Sequence, residues 1–135
     1  MKLRIVALGH RMPAWVTAGY DDYAKRMPRE FALELVELKP EARDRGRTVA
    51  QMLSAEAPRI RAACERHRMI ALDERGTAWT TQDLAANLAR WNADAVDPAF
   101  VIGSADGLDD ALKRDAAARV ALSPMTLPHG LVRVL

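Results

Sequence analysis

The sequence predicts an α/β fold, a parallel sheet sandwiched by helices in a single domain, 1–135. Short apolar runs ending at or near a glycine carry the first argument: residues 3–8 stop at Gly9, 69–73 near Gly76 and 99–102 at Gly103, as buried parallel strands do. Stretches with apolar residues at helical spacing separate these runs. The chain of 135 residues, half of them hydrophobic, is long enough to bury about two-thirds of its unfolded surface, which leaves no room for a second domain.

Each element has its own pattern. After the strand at 3–8, Pro13 is expected in the first turn of a helix running to Arg26, with Trp15, Val16, Gly19, Tyr20 and Tyr23 near one face. Residues 31–38 alternate as Phe31, Leu33 and Leu35 against Ala32 and Glu34, then slip to Val36 and Leu38. That pattern predicts a strand with one face less covered. From Thr48, the residues Val49, Met52, Leu53, Ala57, Ile60, Ala63 and Cys64 recur at helical spacing, and Pro58 is expected to kink or split that helix. A third strand at 69–73 precedes a helix capped by Thr80 or Thr81, with Leu84, Leu88 and Trp91 on one stripe. Residues 99–102, 108–118 and 119–122 read as strand, helix and strand, and 131–135 as the opening of a further helix. The order βαβαβαβαβ demands helical crossovers between parallel strands. No internal repeat or low-complexity segment is present, and the one long polar linker, 39–47, holds Lys39, Arg43, Arg45 and Arg47 against Glu41 and Asp44.

Composition narrows the partners only a little. A formal charge of +2 does not by itself imply nucleic acid. The cations are mostly arginine, which pairs with phosphates bidentately and stacks on bases. The single Cys64 excludes an internal disulfide and fits a reducing compartment, so a cytoplasmic location is expected. The opening residues are interrupted by Arg4 and do not read as a signal peptide, and no apolar run approaches a membrane span.

The residues at the strand ends disfavour several chemistries. Gly9-His10-Arg11-Met12-Pro13 carries one glycine and a proline where a dinucleotide fold needs its glycine fingerprint. No Walker loop occurs. His10, His67 and His129 are scattered, so no metal site is expected. Ser104 lacks the flanking glycines of a nucleophile elbow.

Two segments are better candidates. The stretch Leu122, Ser123, Pro124, Met125, Thr126, Leu127 is apolar and bracketed by Pro124 and Pro128, so its backbone groups are left for a flat polar ligand such as a purine. The stretch 102–108 is a strand end with a glycine-rich turn opening a helix, where α/β proteins bind ligands. Taken alone, Gly103 and Gly107 read first as helix-entry turn glycines, Leu72, Leu122 and Leu127 as core, and Trp15, Trp79 and Trp91 as packing residues before base-stacking platforms.

Met1-Lys2-Leu3, Met12-Pro13-Ala14-Trp15-Val16, Leu72-Asp73 with Gly76 and Trp79, Ile102-Gly103 with Gly107-Leu108, Leu122-Ser123, and Thr126 to Leu135 together resemble the bacterial ribosomal RNA large subunit methyltransferase H family of the SPOUT class. The resemblance runs from the first residue to the last. It implies a C-terminal trefoil knot, a homodimer, S-adenosylmethionine as methyl donor, and N3 of a pseudouridine in large-subunit ribosomal RNA on the ribosome as acceptor. It places the cofactor among Leu72, Gly103 and Leu122, Ser123, Pro124, Met125, Thr126 and Leu127. Glycine at 103 is expected to let the main chain approach the ligand, while Ser104 stands where family members commonly have a second glycine. His129 is expected to serve as general base or orienting group, with an acidic residue such as Asp106 as the other candidate. Arg4 and Arg133 are expected to steady substrate phosphate or a partner subunit, and Arg43, Arg45 and Arg47 to contact RNA. A symmetric partner is expected to cover Leu131, Val132 and Val134. Family members continue past the Leu-Val-Arg-Val-Leu segment through a helix and a tail containing histidine and tyrosine. That difference keeps open a non-catalytic ribosome- or RNA-binding module of the same fold, and a small-molecule-binding α/β protein is a third reading.

Overall fold

The computed structural model describes residues 1–42 and 46–135. Five strands, β1 (Lys2–Leu8), β2 (Ala32–Leu38), β3 (Arg68–Ala78), β4 (Pro98–Ile102) and β5 (Ala118–Ala121), form one sheet in the order β2-β1-β4-β3-β5. Every pairing is parallel. The crossovers are α1 (Ala14–Ala24), α2 (Val49–Ala63), α3 (Thr81–Ala93) and α4 (Asp110–Asp115), and α5 (His129–Val134) comes after the last strand.

Alternation along the strands builds two cores. Val6, Leu8, Ala71, Ala99 and Val101 face one side, where they meet Ala57, Ile60 and Cys64 of α2 and its end, and Leu112 of α4. Ile70, Phe100 and Val120 face the other, against Leu88 and Trp91 of α3. Both faces of the sheet are therefore covered, as parallel sheets require. Burial pushes the Cys64 thiol up to about 11, leaving it a packing residue rather than a reactive one. Helices α2 and α3 start at capping boxes, Thr48 with Gln51 and Thr80 with Asp83.

Four local expectations change. Pro58 does not split α2, which runs unbroken. The proline and Ser54, the residue whose carbonyl loses its partner, are both exposed, so water takes the freed group. Pro13 stands before α1 as its extended N-cap rather than within the first turn. The predicted slip in β2 is absent: its register with β1 is continuous from Lys2 opposite Ala32 to Leu8 opposite Leu38. Val36 and Leu38 pack towards the α2 side, so the doubled pattern reflects a strand partly covered on both faces. The helix expected at 108–118 is only α4, because Asp109 caps it through the Leu112 amide and Ala118 already belongs to β5.

Candidate ligand cavity

The carboxyl ends of β1, β4, β3 and β5 converge on a cavity of about 1190 Å³. This edge is where open parallel sheets bind ligands. Four segments wall it: residues 8–13 after β1, a bulge in β3, the turn after β4, and the β5–α5 loop.

The bulge arises because Leu72 and Thr77 both pair with Val120, so residues 73–76 leave the ladder. Gly76 permits this, since a Cβ there would stand 2.6 Å from the Arg119 backbone. Asp73, Glu74 and Arg75 thereby enter the cavity wall, although the apolar pattern ends the strand at Asp73. A signal for the bulge exists in the sequence: a lone glycine in a strand pattern marks a bulge or a close backbone approach. Asp73 accepts from the Arg119 guanidinium at 2.8 Å and the Arg75 amide at 3.2 Å, with Lys113 at 3.7 Å. Burial pushes its acidity the wrong way, but these partners outweigh burial and hold the carboxyl below its ordinary range.

The turn after β4 is closed by the Gly107 amide on the Ser104 carbonyl at 2.9 Å. Gly107 has φ +89°, which favours glycine. A Cβ on Gly103 would lie 2.5 Å from the Gly107 carbonyl oxygen. The turn itself therefore demands Gly103, a different reason from the ligand approach expected. Ser104 fits without positive φ. Its hydroxyl donates to Glu56 at 3.3 Å, and that buried carboxylate also accepts from the Glu41 amide at 2.9 Å.

On the opposite wall, Leu122, Ser123, Met125, Thr126 and Leu127 line the cavity, while Pro124 stands outside its lining. Outside helices and strands, residues 122–127 take part in no backbone pair among the described residues. Their ties are made by side chains: Ser123 Oγ accepts from the Met125 amide at 3.0 Å, and Thr126 Oγ donates to Glu74. Leu72, Ile102, Leu108 and Val120 supply the apolar floor.

His129 and Arg133, one turn apart on α5, bind the strand ends together. His129 Nδ1 lies 2.8 Å from the Gly103 carbonyl, and Arg133 Nε donates to His129 Nε2 at 2.9 Å. One protonation state satisfies both bonds, the neutral ring carrying its proton on Nδ1. Burial drives the His129 pKa below its ordinary value and the Arg133 charge adds to this, against the opposing Gly103 bond. The Nε2 lone pair is therefore engaged by the Arg133 guanidinium, which leaves His129 placed to orient the groups around it. Arg133 Nη1 donates to Glu37 at 2.6 Å and Nη2 to the Gly9 carbonyl at 2.6 Å. This guanidinium is buried and spent within the protomer rather than presented to a phosphate.

Other expected residues are not brought to the cavity. Arg4 lies in the first half of β1, where it binds Glu34 at 2.9 Å and the Ala63 carbonyl at 2.8 Å. Arg47 pairs with Glu41 at 3.1 Å and is absent from the lining, while Arg43 and Arg45 fall outside the described residues. Asp106 does line the cavity. Of the tryptophans, Trp91 is core and packs on Trp79, but Trp15 lines the cavity and is 57% exposed. The apolar patch expected on α5 shrinks to Leu131, because Val132 faces the cavity and Val134 packs on Gly19 of α1. No helix among the described residues is long and apolar enough to cross a membrane.

The fold is a parallel α/β sheet with a cavity at its carboxyl edge, and a family model described as Predicted SPOUT methyltransferase matches residues 1–135. The chain is 54% identical to the Ribosomal RNA large subunit methyltransferase H of Nitrosospira multiformis over 136 aligned positions, covering 100% of this chain and 87% of that relative. The proteins of the same name from Burkholderia thailandensis and Burkholderia mallei match with the same identity and coverage. This chain belongs to the SPOUT methyltransferases, and within them to the ribosomal RNA large subunit methyltransferase H family.

Proposed function

We propose that this protein transfers a methyl group from S-adenosylmethionine to N3 of a pseudouridine in large-subunit ribosomal RNA, acting on the ribosome in the cytoplasm as a homodimer with one domain per chain. The observation that carries the cofactor reading is the wall at 122–127, whose backbone is unclaimed by secondary structure and stands opposite an apolar floor. An adenine needs that combination of an apolar slot and backbone donors and acceptors. The donor set therefore fits. Leu72, Leu122 and Leu127 would hold the ring, with Ser123, Met125 and Thr126 contributing backbone groups and the Gly103 turn closing the far side. The return of the chain from β5 to pack α5 on α1 and β4 supports the trefoil knot of this class.

When bound, the cofactor supplies an electrophilic methyl on a sulfonium, so the protein's task is alignment and removal of one proton. The cavity walls align the acceptor and exclude water. His129 and Asp106 are the candidates for base or orienting group, and Asp106 lines the cavity together with Asp73 and Glu74. Exposed Trp15 at the rim, beside Gly130, is placed to stack on a base. Leu131 and Met125 are the apolar groups a symmetric partner would cover. RNA phosphates fall to the loop at 39–47.

Titration with S-adenosylmethionine, followed by transfer of a labelled methyl group to ribosomes lacking the modification, tests this reading. Binding with transfer to that pseudouridine is the expected result. Binding without transfer would leave the non-catalytic module, and no binding would remove the cofactor assignment.

A further inference from the structure

We propose that His129 and Arg133 act as a positioning pair that sets cofactor affinity through the Gly103 carbonyl, a role that rests on the S-adenosylmethionine reading above. The two side chains form a continuous path from one wall of the cavity to the other strands: Gly103 after β4, His129, Arg133, then Gly9 after β1 and Glu37 of β2. A peptide group is planar, so fixing the Gly103 carbonyl also fixes the plane that joins Gly103 to Ser104. That plane is where the chain leaves β4 and enters the turn bordering the cavity. The turn is already tight, because the Gly107 carbonyl occupies the space beside the Gly103 Cα. Rotation of the 103–104 peptide is thus opposed from the α5 side by the imidazole.

The arrangement requires a ring that donates at one nitrogen and accepts at the other. It also requires an arginine, since three separate N–H groups of Arg133 reach three acceptors on three segments. The charged groups facing the imidazole are Arg133 on its own helix and, through that guanidinium, Glu37 of β2; the strand ends at Gly9 and Gly103 present backbone carbonyls. Losing a net hydrogen bond of ordinary strength corresponds to about a tenfold change in an equilibrium constant.

The test uses the whole chain and the variants His129→Ala, His129→Asn and His129→Gln. Asparagine places an amide N–H near the Nδ1 position and retains the Gly103 bond, whereas glutamine reaches towards Arg133 and does not. For His129→Ala we expect about tenfold weaker S-adenosylmethionine binding and a raised KM for the cofactor, with kcat at saturation unchanged. His129→Asn should recover most of the affinity and His129→Gln should not. Nitrogen NMR of the wild-type ring near neutral pH should show a neutral imidazole protonated at Nδ1, a readout independent of how the variants fold.

Wild-type affinity in a folded His129→Ala protein overturns the proposal, as does a ring protonated at Nε2. If both amide variants bind as weakly as alanine, the imidazole itself contacts the cofactor and the relay through Gly103 is wrong. A wild-type protein that fails to bind S-adenosylmethionine defeats the cofactor reading and this inference together. Failure of the inference alone is recognised by wild-type binding with no loss in the alanine variant.

Discussion

The two walls of the cavity are built to different standards. On one side, the Gly103 turn is pinned by His129, and through Arg133 to two further strands, by four bonds of 2.6–2.9 Å around a buried guanidinium. On the other, the loop at 122–127 keeps two side-chain ties and leaves Leu122 and Met125 exposed. A ligand site that must hold a cofactor and admit a large substrate gains from this division: fixed hydrogen-bonding groups give orientation, and a loosely tied cover gives access.

The largest expected effect comes from breaking the rigid wall at its centre. Arg133→Met should lower stability by about 3 kcal/mol, because the Gly9 carbonyl and His129 Nε2 lose their donors in a buried setting. Thermal or urea unfolding measures it, and a loss below about 1 kcal/mol would mean that water replaces the guanidinium. Next, Gly103→Ala should cost about 2 kcal/mol and abolish cofactor binding, since the new methyl must displace the Gly107 carbonyl. Unfolding curves and ligand titration read the two effects separately.

A smaller effect separates the walls by pH. The folded protein holds His129 below the pKa of 6.5 at which an unfolded histidine takes its proton, so the unfolded chain binds the proton first as pH falls. The stabilisation is complete above about 6.5 and disappears as pH drops through the folded value. Melting temperatures at neutral and mildly acidic pH should diverge more for wild type than for His129→Asn. The smallest change is expected for Ser104→Gly, which removes a 3.3 Å bond to Glu56 while leaving the Glu41 amide in place. A loss of about 0.5–1 kcal/mol by urea unfolding fits that single bond.

The rigid wall is also the harder one to read from sequence. Strand positions and helix order are legible because apolar periodicity reports burial directly, and the cap of α3 falls on Thr80, one of the two threonines expected there. The loop at 122–127 is legible because its prolines exclude regular pairing. The His129–Arg133 pair has a signal in its i, i+4 spacing on a short helix. Their partners have none: Gly9 stands 124 residues from Arg133 and Glu37 stands 96, and nothing local in the sequence marks such pairings. The bulge has a local mark in Gly76, but its extent is hidden by the same limit, since the double pairing of Val120 with Leu72 and Thr77 depends on a strand that comes much later. The partners of Arg4 and Arg133 are hidden for a related reason: arginine suits phosphate and carboxylate alike, and within the protomer the fold pairs them with Glu34 and Glu37.

The span between Gly9 and Arg133 also orders events in time. A contact that joins residues 124 apart encloses nearly the whole fold, so its loop-closure entropy is lost only when the intervening strands have already paired. During synthesis from the amino end, the sheet can assemble before Arg133 emerges, and the cavity acquires its fixed wall afterwards. Weakening that contact should therefore speed unfolding while leaving the refolding rate nearly unchanged, which stopped-flow chevrons of wild type and Arg133→Met would display as a shift confined to the unfolding limb.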